Sequence, residues 1–239
     1  MKNNIKKHLK GGQIKQLQDF IKSEFNYKLL SRKKRLIVFI AACQAAVKPE
    51  LLRGLIKWSL SSNVKPSEIY EVLLQGYLFC GYPAAIESFF VFNEVIENEF
   101  NNQFKLPKNN VIWDYDRFKK RGLKTAKKIY GNNLDLVLGN IQKLSADLAS
   151  SMVVEGYGRV ISRKGLDILT RELAIVASLT VAGMSRQLYS HIRGAVNVGA
   201  SPAQIKAAIN QSLFFANPSR VKKALQVFKK SLGIRTHQR

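Results

Sequence analysis

Acidic residues are scarce in this chain of 239 residues: 16 Asp and Glu face 39 Lys and Arg, leaving a formal charge of +23. The imbalance is also uneven, because Glu172 is the last acidic residue and only basic charge follows it. Such a field concentrates anions, whether small carboxylates, nucleic acid or acidic lipid, without choosing among them. Cysteine is nearly absent. Cys43 and Cys80 lie far apart in apolar surroundings, FIAACQAAV and GYLFCGYP, which predicts two reduced buried thiols and not a disulfide. Of the three histidines, His8 and His237 fall in charged tails, so no metal site is expected. No apolar run reaches the roughly 18 residues a bilayer requires. The longest, Leu173 to Met184, is interrupted by Ser178 and Thr180 and reads as a buried helix with no membrane span. The basic N-terminus lacks a following apolar block and cleavage site, which makes a cytoplasmic location the expectation.

What remains is 46% hydrophobic, enough for a substantial core in one large domain or two units sharing an interface. Apolar residues recur at three- and four-residue spacing, as in Leu188, Ile192, Ala195 and Val196, and strand-like alternation is missing. The predicted class is all-α. Gly199 is placed to end one helix, Ser201 to cap the next with Pro202 at its first position, and Gln204 to bond back to the cap. Lys65, Pro66 and Glu68 repeat that punctuation with a poorer cap.

The chain also repeats itself. A shift of 136 residues lays RLIVFIAACQAAV (Arg35 to Val47) over RELAIVASLTVAG (Arg171 to Gly183), with Lys57 on Arg193 and Pro66 on Pro202. One residue of slippage later, LFCGYPAA meets LFFANPSR. The organisation read from this is a basic tail or helix over 1–30, a first unit over 31–104, a basic connector with a helix around Tyr115 to Tyr130 over 105–133, a second unit over 134–232, and a basic tail over 233–239. Glycines and charges in EGYGRVISRKGLD (Glu155 to Asp167) predict a loop, and the aromatics of FFVFNEV and LFCGYP predict core.

In the second unit Arg171-Glu172-Leu173 opens a buried helix, His191-Ile192-Arg193-Gly194-Ala195 sits in the next, Gly199 follows, and Ser201-Pro202 begins a third. This pattern resembles the carboxymuconolactone decarboxylase family, with its AhpD-like fold, and YLFCGYPAAIESF in the first unit is similarly typical. The resemblance implies compact helical units in homo-oligomeric rings, trimers or hexamers, with tandem copies in one chain. It implies one of two chemistries. The peroxidase branch needs a Cys-x-x-Cys pair whose second cysteine precedes the histidine by four residues; Met184 and Gln187 stand there, so thiol peroxidase chemistry is disfavoured. The decarboxylase branch needs no cofactor. Loss of CO2 leaves an enolate that must be held and protonated. His191 is then the candidate proton donor and Glu172 its partner, both catalytic; Arg193, Arg163, Tyr157 and Tyr189 are candidate substrate-binding residues for a small carboxylated or lactone compound. At the positions matching Glu172 and His191 the first unit has Leu36 and Leu55, which assigns any site to unit two.

The alternative is a non-catalytic basic helical scaffold. Aromatics interleave with cations in KKIY and WDYDRFKKR, yet no RNP, KH, zinc-finger or helix-turn-helix signature is present, so charge alone predicts weak, salt-sensitive nucleic-acid binding.

Overall fold

The computed structural model describes residues 29–100 and 113–234, together with positions 16 and 19. Most of the N-terminal segment, the start of the connector and the last five residues, including His8 and His237, lie outside the described residues. Among those described, the chain is helical and has no strand. The helices are α1 (Arg32–Ala45), α2 (Pro49–Ser61), α3 (Pro66–Phe100), α4 (Tyr115–Tyr130), α5 (Leu134–Leu144), α6 (Ala146–Ser151), α7 (Ile168–Ala182), α8 (Ser185–Asn197), α9 (Pro202–Gln211) and α10 (Pro218–Ser231).

Their ends follow local chemistry. The Ser31 hydroxyl accepts from the Lys34 amide to start α1, and Asp167 accepts from Thr170 to start α7. Ser201 and Gln204 form the reciprocal capping box of α9, as its sequence predicts. At Gly199 the chain turns with φ 98°, and at Gly183 with φ 76°. Helix α3 is broken at Gly81 (φ 83°), two residues before Pro83, which has no N–H to continue the ladder.

Helices α1 and α7 cross at the centre and are buried almost throughout. Phe39, Ile56, Leu73 and Phe92 belong to one apolar cluster and Val176, Ile192, Ile205 and Phe228 to the other. The central pair serves both, since α1 gives Val38 to the second and α7 gives Ala174 to the first. Each fully buried side chain of this size stabilises by roughly 1.5–3 kcal/mol. Ser178 Oγ donates across the crossing to the Ala41 carbonyl at 3.2 Å, and Gln44 Nε2 ties α1 to α3 by donating to the Leu73 carbonyl at 3.0 Å.

A buried ionic knot ties the two halves together. Arg171, fully buried, donates to Glu71 Oε2 at 2.7 Å, to Gln75 Oε1 at 3.1 Å and to two backbone carbonyls. Glu71 also takes the Arg163 Nε–H at 2.8 Å. Burial pulls the Arg171 guanidinium below its ordinary pKa, and Glu71 works against that shift.

Two expectations fail in part. The loop expected over Glu155 to Asp167 begins only after Ile161, because Met152–Ile161 is a π-helical segment running on from α6. Of its two glycines, Gly158 serves close packing and Gly156 has nothing within 4 Å of its Cβ position. A Cβ on Gly158 would lie 2.2 Å from the Phe118 carbonyl oxygen, and one on Gly122 would lie 2.0 Å from that of Val153, so α4 and the π segment approach backbone to backbone. The aromatics of α3 also divide: Phe92 is core, whereas Tyr82 and Phe90 face outward.

Candidate functional site

Glu172 lies in the second turn of α7 and His191 in the second turn of α8, on the faces the two helices turn toward each other. His191 Nδ1 is 2.9 Å from Glu172 Oε2, and both side chains are buried. A carboxylate only accepts, so it keeps the proton on Nδ1 and leaves Nε2 as the nitrogen able to exchange one. The Phe79 ring, from the first half, stands edge-on to the imidazole at 5.3 Å and limits its rotation.

The approach depends on Gly194. A Cβ there would meet Ile129 Cγ2 at 2.6 Å and Glu172 Oε2 at 2.9 Å. Behind the carboxylate, Tyr130 and Tyr157 share a hydrogen bond between their hydroxyls. Burial pushes both phenols up, Tyr130 to about 12, and the Glu172 charge adds to the rise in each. The pair is thus held neutral beside the carboxylate, whose Oε1 has no hydrogen-bond partner among the described residues.

A cavity of about 340 Å³ is lined among others by Ile129, Tyr130, Leu136, Tyr189, Arg193 and Gly194; Glu172 and His191 do not line it. Arg193 is exposed, lies 5.9 Å over the Tyr189 ring and donates to its hydroxyl at 3.3 Å. Asn197 Nδ2 donates to the Ile129 carbonyl at 2.7 Å, fixing α8 against α4.

Comparison with known proteins agrees with this architecture. The family model described as the carboxymuconolactone decarboxylase family matches residues 149–230, which include Glu172, His191 and Gly194. Peroxisomal protein 2 of the fission yeast Schizosaccharomyces pombe is 30% identical over 181 residues, covering 74% of this chain and 83% of that protein. The chain belongs to the carboxymuconolactone decarboxylase family. A second relative, the uncharacterized 15.0 kDa protein in the nqo9-nqo10 intergenic region of Paracoccus denitrificans, is 30% identical over 89 residues, 36% of this chain and 66% of that one.

Within this carboxymuconolactone decarboxylase fold, the residues picked from sequence separate into three groups. His191 and Glu172 touch, with Tyr157 nearby through Tyr130. Arg193 and Tyr189 line the cavity. Arg163 is engaged with Glu71 and makes no hydrogen bond to either member of the pair. Met184 and Gln187 are exposed. Cys43 and Cys80 are buried or largely so; burial pushes both thiols up, Cys80 to about 11, and keeps them protonated at neutral pH. Among the described residues no three His, Cys, Asp or Glu side chains gather as a metal site requires. Sequence reading missed Tyr130, Phe79 and the steric role of Gly194. Tyr130 was legible in part: Phe118, Gly122, Ala126 and Ile129 mark the inward face of α4, and Tyr130 extends that face at the helix end.

Proposed function

We propose that this chain is a tandem carboxymuconolactone decarboxylase-like protein whose second unit carries a cofactor-free acid-base centre for a small carboxylated or lactone-type compound. The observation that supports this most is the buried contact of His191 Nδ1 with Glu172 at 2.9 Å, one glycine away from a cavity of about 340 Å³. In that reading Arg193, at the cavity rim, binds a substrate carboxylate while Tyr189 orients it. The imidazole delivers the proton to the carbanion left by CO2 loss, and Glu172 stabilises the charged ring. Tyr157 and Tyr130 act behind the carboxylate as neutral hydrogen-bonding groups.

The tandem organisation is supported by α1 and α7, each starting near a buried arginine, Arg35 and Arg171, and by Pro66 and Pro202 opening α3 and α9. The first half has buried Leu36 and Leu55 where the second has the acid-base pair. Thiol peroxidase chemistry is disfavoured by Met184 and Gln187. A homo-oligomer, trimer or hexamer, follows from the family reading. Among the described residues no helix is long and apolar enough to cross a membrane. The name of the fission-yeast relative supports a peroxisomal location beside the cytoplasmic one that the sequence suggests.

The test is thermal shift of the wild type beside His191→Ala and Glu172→Gln against lactones and dicarboxylates, with CO2 release measured on hits. A salt-tolerant shift in the wild type only, and a roughly 100- to 10,000-fold slower reaction in His191→Ala, is the expected result. If no compound shifts the wild type, the acid-base reading falls. The second reading, a basic anion-binding scaffold, rests on six exposed cations along α4 and predicts polyanion binding that fades with salt.

A further inference from the structure

We propose that α4, α5 and α6 together form a docking face for an anionic lipid surface. The inward side of α4 is Phe118, Gly122, Ala126 and Ile129, which forces Arg117, Lys119, Lys120, Lys124, Lys127 and Lys128 outward, all six exposed. Charge alone would suit any polyanion. The neighbouring helices add what a polyanion in water does not use. Helix α5 is an apolar sequence, LDLVLGNIQKL, of which only Leu134 is buried. Leu136, 63% exposed, lines the cavity beside Gly194, whereas Leu144 is 78% exposed and Leu148 on α6 55%. Such side chains at helical spacing ordinarily face a core; here they project into solvent beside the cations.

The two features meet where the start of α4 packs beside α5 and α6. The Tyr115 hydroxyl is 3.2 Å from Ser150 Oγ, joining the start of α4 to α6. A shallow groove of about 280 Å³ between them is lined by Tyr115, Lys119 and Leu123 from α4 and by Leu138, Gln142 and Ala146 opposite. Trp113, 56% exposed, stands at the entry to α4 with Tyr115. Aromatics at the rim, leucines at the tip and a belt of lysines are the requirements of a protein face seated at a headgroup boundary, with ammonium groups on phosphates and apolar side chains reaching the acyl region.

Other occupants fit less well. A second copy docked through the same face about a two-fold axis would set its six cations against these six, and a ring contact with a different face of a second copy is the outcome that the oligomeric state of the leucine variant separates. Nucleic acid would satisfy the lysines and leave the leucines in water. In residues 131–154 the only charges are Asp135, Lys143 and Asp147, so most of this segment can approach an apolar phase without taking an ionised side chain out of water.

The experiment is co-sedimentation of the full chain with phosphatidylcholine vesicles, with and without a third of phosphatidylglycerol. It runs beside the emission of Trp113 in a Trp58→Phe background, these being the two tryptophans of the chain. The expected result is binding only to the anionic vesicles, with Trp113 emission moving to shorter wavelength. Both Leu144→Glu with Leu148→Glu and Lys120→Glu with Lys124→Glu should lower the partition by roughly tenfold or more. The leucine pair should leave the melting temperature unchanged, since neither side chain is in the core. No binding to anionic vesicles overturns the proposal. Binding that ignores the leucine substitutions and is matched by DNA assigns the face to polyanions and overturns it too. An oligomer that dissociates in the leucine variant, with no vesicle binding by the wild type, gives the face to a second copy instead.

Discussion

Replacing Glu71 with glutamine tests whether the ionic knot between the halves is essential to the fold. Glu71 accepts from Arg171 at 2.7 Å and from Arg163 at 2.8 and 3.0 Å, and Arg171 has no exposed surface. Glutamine keeps the shape and one acceptor but removes the negative charge that neutralises the buried guanidinium. Breaking a buried pair from one side costs about 3–5 kcal/mol, because the surviving ion stays uncompensated in low dielectric. The Arg163 bond, partly solvated, adds little to that. Against a total stability of about 5–15 kcal/mol the loss is large. For a chain of this length it corresponds to a fall in melting temperature of about 6–20 °C. Urea titration followed by circular dichroism measures it, with unchanged slope required for a clean comparison. The double variant Glu71→Leu with Arg171→Met should recover most of the loss, since two apolar groups restore packing without a buried charge. A loss below about 1 kcal/mol in Glu71→Gln would refute the reasoning and show that water reaches Arg171.

Two further outcomes follow from geometry and burial. Gly158→Ala should destabilise by about 1–3 kcal/mol, because its Cβ would press on the Phe118 carbonyl oxygen, whereas Gly139→Ala, with nothing within 4 Å, should stabilise α5 by about 0.5–1 kcal/mol in the same denaturation assay. Stability should fall as pH rises above about 9, because burial pushes the Cys43 and Cys80 thiols up in the fold, Cys80 to about 11, while both titrate at their usual 9.0 when unfolded. The unfolded state then binds fewer protons in that window, so the slope is negative; Cys80→Ala should make the segment between 9 and 11 shallower by one thiol's share, with Cys43 supplying the other and Tyr77, Tyr130 and Tyr157 adding to the loss above about 10.

Much of the site was readable in the chain because it depends on local spacing. The resemblance to the family singled out Glu172 in one buried helix and His191 in the next, and the 2.9 Å contact joins them. Arg163 shows the limit: it was a substrate-binding candidate in sequence, yet it spends its Nε on Glu71, 92 residues away. The glycines of the π segment misled for a related reason. Glycine marks a turn when φ is positive and a close approach when a backbone lies opposite, and only the position of α4 distinguishes the two.

The helical class, the caps of α9 and the turn at Gly199 were determined by the sequence itself, because each rests on residues within a turn or two of one another or on a recurring pattern; Glu172 and His191 stood out through the resemblance to the family. The tertiary structure alone decided the Arg171–Glu71 knot across 100 residues, the meeting of Tyr130 with Tyr157, the glycine-to-carbonyl contact of α4 with the π segment, and the outward leucines of α5. Periodicity says that a helix has an apolar face. Whether that face meets a core, another helix or solvent depends on where distant segments have packed.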